Sequence, residues 1–254
     1  MLAPCIIAFS MYSKVPMPRV DWSEKNMRYA FCFFPLVGAV LGAIVYGIAT
    51  LLFHVHISNL CFAALMTVLP IFYTGGIHVD GLLDTLDALH SYGDREKKLD
   101  ILKDPHTGAF AIIGAVCYFV LSLGVWSEIP AKGLPLIAVG YVLTRAFSGL
   151  SVVTFPLAKN TGLAATFSDM SHKKRVKGAM IVYSLVCFIA LMWINLFLGI
   201  GVIVMSLLMF AYHYYICQKQ FGGISGDLAG YFLQLNELAI LMWIAIGCRI
   251  GGVV

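Results

Sequence analysis

GAMIVYSLVCFIALMWINLFLGIGVIVMSLLMFAYHYYIC, residues 178–217, is 40 residues of apolar chain. An α-helix rises 1.5 Å per residue, so about 20 residues cross the ~30 Å hydrocarbon core of a bilayer. The stretch therefore holds two crossings, and Asn195 with Gly199-Ile200-Gly201 marks the expected tight turn between them. Its apolar residues do not form the one-sided stripe that a water-soluble helix needs. The solvent for this chain is lipid.

Working outward, the whole sequence of 254 residues agrees: 60% is hydrophobic and 12% charged, against about 25% charged in soluble domains. Candidate spans are residues 31–53, 57–73, 109–126, 134–157, 178–198, 200–216 and 238–254. The expectation is an all-α, polytopic bundle of about seven transmembrane helices, a single membrane-embedded domain over residues 1–254. The first residues, MLAPCIIAFSMYSKVP, have no basic residue ahead of a short apolar run, which fits neither a secretory signal nor a span. They are read as an interfacial or re-entrant piece. The seven cysteines form no CxxC pair, so neither a disulfide framework nor a zinc site is expected.

Orientation follows from Lys and Arg in the connections. Lys14, Arg19, Lys25 and Arg28, then Arg95, Lys97, Lys98 and Lys103, then Lys159, Lys173, Lys174, Arg175 and Lys177, and finally Lys219 all fall on one side. The other side has Lys132, with Arg249 near the chain end. The N-terminus and the basic connections are expected in the cytoplasm. A net charge of +4, this dispersed and without interleaved aromatic residues, gives no reason to expect nucleic acid as a partner.

The chemistry concentrates in TGGIHVDGLLDTLDALHSYGDREKKLDILKDPHTGAF, residues 74–110. If the part after Gly76 is helical, Asp80, Asp84 and Asp87 stand at i, i+4 and i+7 and share one face. Three like charges repel unless a cation joins them, and an all-oxygen set suits Mg²⁺ with substrate phosphates completing its shell. A solvated helix face explains the spacing equally well. The position directly after a span, introduced by Gly75-Gly76 where backbone can approach an anion, favours a site. His78 is placed to donate to a phosphate or to move a proton, and more often such a His serves local structure. Lys103 and Asp104 precede the third span, where a cation can hold phosphate. A second cluster, residues 221–241, places Gly222, Gly223, Gly226, Asp227, Asn236 and Glu237 in the fourth basic-side connection, with the acids approaching an apolar helix. Arg145 lies inside the fourth span, where a charge costs at least ~2.5 kcal/mol. It is expected to face the interior, paired with an acid or serving substrate phosphate.

Several runs, in order along nearly the whole chain, resemble the cobalamin synthase family of adenosylcobinamide-GDP ribazoletransferases: KVPMP (14–18), FFPLVGAVLG (33–42), GGIHVDGLLDTLDAL (75–89), LKDPHTGAF (102–110), GGISGDLAG (222–230) and NEL (236–238). The resemblance implies a multi-pass enzyme of the cytoplasmic membrane using Mg²⁺. A hydroxyl of α-ribazole or α-ribazole 5′-phosphate would attack the cobinamide-linked phosphorus of adenosylcobinamide-GDP and expel GMP. By position, Gly75, Gly76, His78, Asp80, Asp84 and Asp87 match the principal motif, Lys103 and Asp104 the following Lys-Asp, and Gly222, Gly223, Gly226 and Asp227 the late motif. Two departures stand out. A KDSR-like run reads Lys103-Asp104-Pro105-His106, and the DG after the third acid reads Asp87-Ala88. They bear on substrate affinity more than on reaction type.

Two other classes fit the residues less well. A CDP-alcohol phosphatidyltransferase also uses helix-borne aspartates at a membrane, but its DG is followed by Ala-Arg, and here Asp80-Gly81 is followed by Leu82-Leu83-Asp84. A secondary transporter explains many spans and an intramembrane Arg145, but it calls for polar groups near mid-depth in several spans, and the acids here gather at one face.

Overall fold

The computed structural model of the chain describes residues 2–158 and 172–252; Lys159 and the last two residues of the expected seventh span lie outside the described residues. The elements are α1 (Leu2–Tyr12), α2 (Glu24–Met27), α3 (Phe34–His54), α4 (Asn59–Thr74), α5 (Ile77–His90), α6 (Arg95–Ile101), α7 (Ala109–Trp126), α8 (Leu134–Thr154), α9 (Lys173–Ile194), α10 (Leu196–Ile216) and α11 (Gly226–Ile250). Among the described residues, six helices are long and apolar enough to cross a membrane, and α4 with α5 is a bent pair that is either a broken seventh span or a re-entrant loop. This is a polytopic helical membrane protein.

Two helices form the centre. Of the most apolar stretches of α8 and α11, 72% and 78% is buried, against 17% for α7 and 22% for α9, so the latter present most of their surface to lipid. Small residues bring α3 close to α8, as they do in membranes where apolar attraction between helices is weak. A Cβ on Gly38 of α3 would stand 2.5 Å from the Tyr141 carbonyl oxygen of α8, and one on Gly42 would stand 2.5 Å from that of Ala138.

Three boundaries differ from expectation. The α9–α10 break is at Asn195 alone, whose side chain accepts from the Leu198 N–H at 2.9 Å. One capping residue suffices, and Gly199 and Gly201 continue the helix. The last helix starts at Gly226 rather than at residue 238, and Gln234, Asn236 and Glu237 within it each hydrogen-bond to a neighbouring helix. Lys219 is not in a loop but in a π-helical turn, Cys217–Phe221, that prolongs α10. The N-terminal piece is the short helix α1, and Ile7 and Ala8 on it are buried.

Candidate active site

The principal motif begins at a corner. Gly75 (φ 70°) and Gly76 (φ 81°) are both left-handed, a conformation that side chains with a Cβ resist, and across them α5 turns 98° from α4. The Lys14 side chain lies over Gly75, in the space a Cβ there would take. The expectation that the segment after Gly76 is helical holds, and Asp80, Asp84 and Asp87 lie along α5.

Gly81 places this helix against the late motif. A Cβ at Gly81 would be 2.7 Å from the Asp227 carbonyl oxygen, and one at Gly230 would be 3.1 Å from that of His78. Backbone therefore meets backbone where α5 crosses the start of α11, and Asp227 joins the α5 acids. Ser225 caps α11, its hydroxyl accepting from the Leu228 N–H at 3.2 Å and donating to Asp227 Oδ2 at 3.4 Å. Asp80, Asp227 and Asp87 all lie near enough to Asp84 for their charges to act on it. The Asp87 carboxylate fills the space a Cβ on Gly108 would need. Gly108 is the N-cap of α7, an end that favours negative charge.

A cavity of about 400 Å³ opens beside this crossing. Asp80, Asp227, Lys103, Ser225 and Gly226 line it together with Tyr12, His78, Phe31, Phe34, Ser148, Val152 and Leu233. Asp84 and Asp87 do not line it. Neither does Asp104, which is exposed and binds His106 through the backbone N–H at 2.9 Å and the ring Nδ1 at 2.7 Å. The hydrogen bond from the His106 N–H, then that from its ring, holds the Asp104 carboxyl below the usual carboxylate range. Gly222 (φ 70°) carries the Arg95 guanidinium against its missing Cβ. Gly223 allows the next residue to bridge to Leu157, Ile224 N–H donating to the Pro156 carbonyl at 2.8 Å.

Arg145, Asn236 and Glu237 form a separate, deeper constellation and do not line the large cavity. Asn236 and Glu237 stand within α11 rather than in a connection, and both are buried. Arg145, 1% exposed, faces the interior as expected: Nη1 donates to Glu237 Oε1 and to the Tyr141 carbonyl at 3.2 Å. Asn236 Nδ2 donates to Thr144 Oγ1 at 3.0 Å, and Tyr118 donates to Gln234 Oε1 at 2.6 Å. Gln234, Tyr118 and Thr144 escaped sequence reasoning, as did Tyr12, Ser148 and Ser225 of the cavity. One signal was present: Asp227, Gly230, Gln234 and Glu237 recur at the three- and four-residue intervals of one helix face.

Among the described residues, no three His, Cys, Asp or Glu side chains converge to hold a metal ion. The donor set still suits Mg²⁺, which binds through one or two carboxylates and leaves its other positions to water and phosphate. The acids around Asp84 would supply such oxygens from both α5 and α11.

A bundle of membrane-crossing helices, with carboxylates from two motifs meeting beside a cavity where α8 ends and α11 begins, is the architecture of a membrane-embedded enzyme. Residues 4–245 match the cobalamin-5-phosphate synthase family, and the chain belongs to it. It is 44% identical over 232 residues to an adenosylcobinamide-GDP ribazoletransferase of Lachnoclostridium phytofermentans, covering 91% of this chain and 89% of the relative. Proteins of the same name in Halalkalibacterium halodurans (31% identical, 94% of each chain) and Clostridium botulinum (29% identical, 92% of this chain and 93% of the relative) are similar over nearly their full lengths. No solved structure matches the chain.

Proposed function

We propose that this chain is a Mg²⁺-dependent transferase that joins adenosylcobinamide-GDP to α-ribazole or α-ribazole 5′-phosphate and releases GMP, giving adenosylcobalamin or its 5′-phosphate. The observation that carries the reading is the Gly81–Asp227 crossing, which gathers acids from two separate motifs beside one cavity. A ribose hydroxyl of the acceptor forms a bond to the cobinamide-linked phosphorus, the bond from that phosphorus to the GMP oxygen breaks, and the hydroxyl proton passes to a carboxylate. Of the acids, Asp80 and Asp227 line the cavity, so one of this pair is the base. Asp84, with Asp80, Asp87 and Asp227 around it, is where Mg²⁺ would be held, and the ion would neutralise charge building on the phosphates. Lys103, also on the cavity wall, offers a cation to a phosphate oxygen, and Asp104 holds the adjoining loop through His106.

Glu128 and Lys132 mark one end of the bundle, and the basic α2, α6 and α9 starts mark the other. The asymmetry in Lys and Arg supports placing the cavity at the cytoplasmic face of the inner cell membrane, with the N-terminus inside. There it meets the nucleotide. The test is direct: purified protein in liposomes receives adenosylcobinamide-GDP, α-ribazole and Mg²⁺, and GMP release and cobalamin formation are followed together. Equal amounts of both products are expected. GMP release with no cobalamin product, or no dependence on Mg²⁺, would contradict it.

A further inference from the structure

We infer that Arg95 and Lys98 of α6 are positioning residues: docked on the π-helical turn that ends α10, they set where Lys103 stands in the cavity wall relative to Asp227. The inference rests on the reaction proposed above, in which Lys103 serves a phosphate of adenosylcobinamide-GDP, and it adds to that site residues that lie outside the cavity.

α6 has seven residues, Arg95–Ile101, too few to hold a helix in water without tertiary support. Its N-cap is local, Asp94 accepting from the Lys97 N–H at 3.0 Å. Its place is set from far along the chain. Lys98 Nζ donates to Gln220 Oε1 at 2.5 Å across 122 positions of sequence, and the Arg95 guanidinium occupies the space beside Gly222 that a Cβ there would fill. Leu99, next to Lys98, is buried in the same apolar cluster as Phe221 and Ile224.

The surface that receives α6 suits cations. Gly222 (φ 70°) stops the Cys217–Phe221 turn, and the Gly223 N–H returns to the Cys217 carbonyl at 2.8 Å. α10 and this turn together run from Leu196 to Phe221, and the C-terminal end of a helix carries negative partial charge that favours Arg and Lys. A side chain at position 222 would resist the left-handed backbone and push Arg95 away.

Both sides of this latch lead to the cavity. From α6 the backbone continues in helical turns, the Lys98 carbonyl accepting from the Leu102 N–H at 3.2 Å and the Asp100 carbonyl from the Lys103 N–H at 3.0 Å; Leu99, Leu102 and Lys103 all line the cavity. From Gly222 the chain runs on to Ile224, Ser225, Gly226 and Asp227, which line it too. Arg95, Lys98 and Gln220 do not, so the latch acts through Lys103 and not on the substrate. α6 is not one of the membrane-crossing helices, and loosening it leaves the bundle intact.

The experiment separates the wall from the reaction. In a cysteine-free chain in nanodiscs, a spin label on Glu96→Cys, at an exposed position of α6, reports how firmly that helix is held; turnover and thermal unfolding are measured on the same chains without the label. Lys98→Met and Gln220→Leu should each sharpen the label's spectrum and raise the KM for adenosylcobinamide-GDP about tenfold, the effect of one hydrogen bond to a charged group. The KM for α-ribazole and the unfolding temperature should not move. The double variant should be no worse than either single one, because both remove the same bond. Lys98→Arg, which keeps a charged donor, should recover most of the affinity. An unchanged spectrum, or a freed α6 with an unchanged KM for adenosylcobinamide-GDP, would overturn the inference. So would a rise in both KM values with a lower unfolding temperature, which marks a merely structural contact. A chain that makes no cobalamin product in any variant would refute the proposed reaction instead, and the spectra would then decide whether the latch holds the wall.

Discussion

Replacing Glu237 with leucine puts the buried Arg145–Glu237 pair under the sharpest test. Without Glu237 the guanidinium keeps, among the described residues, the Tyr141 carbonyl at 3.2 Å and the Tyr141 ring, 5.4 Å from its centre; among the same residues Nε is already without a partner. Breaking a buried pair from one side costs about 3–5 kcal/mol, and Glu237→Leu should fall in that range because arginine cannot shed its proton. Arg145→Leu should cost less, since a buried carboxyl left alone can take up a proton. The double variant should lie closest to the unaltered chain, as apolar replacements of buried pairs often do. Thermal unfolding in detergent, followed by loss of the monodisperse species, ranks the three. If Arg145→Leu and Glu237→Leu cost the same and their costs add in the double variant, the pairing account is wrong.

Asp→Asn at Asp80, Asp84 or Asp87 should leave the protein in the membrane yet lower turnover by orders of magnitude, with double variants costing much less than the combined single effects; near-normal turnover in two of the three would end the metal proposal. Gly81→Val should abolish turnover, because its Cβ would stand 2.7 Å from the Asp227 carbonyl oxygen and force α5 from α11; full activity at normal expression would remove the crossing from the site. Cysteines placed at Ser91 and Ser225 in a cysteine-free background should react with an impermeant thiol reagent from the cytoplasmic side alone, and labelling of either from outside would break the common-face assignment.

How much of this was legible depended on whether a feature was local. The shared face of Asp80, Asp84 and Asp87 follows from helical spacing, whereas Gly75-Gly76, expected to bring backbone to an anion, form the α4–α5 corner. That Asp227 joins those acids is a tertiary fact, set by the contact through Gly81 and Gly230, which spacing along one segment does not reveal. The start of α11 was placed too late for a related reason. Asp227, Gln234, Asn236 and Glu237 read as loop residues by hydropathy, but Tyr118, Thr144 and Arg145 give three of them hydrogen bonds from neighbouring helices, and tertiary pairing outweighs local polarity. Lys103 lines the cavity. Tyr12 was unreadable as part of it, since only the folding of α1 against α3 brings it beside His78.

The Arg145–Glu237 pair joins residues 92 positions apart. Synthesis at about 5–20 residues per second therefore separates their emergence by several seconds. During that interval α8 enters the bilayer with an unmatched guanidinium, a burden of about 2.5–3.5 kcal/mol on insertion scales. Gly38 of α3 leaves room for the Arg145 side chain, whose Cδ lies where a Cβ at that position would be, so a helix already inserted shields the charge until its partner arrives. The order in which the spans are made thus matters to biogenesis: a circular rearrangement that delivered α8 before α3 would expose Arg145 to lipid, and insertion of that helix would fail even though every contact of the finished protein remained available.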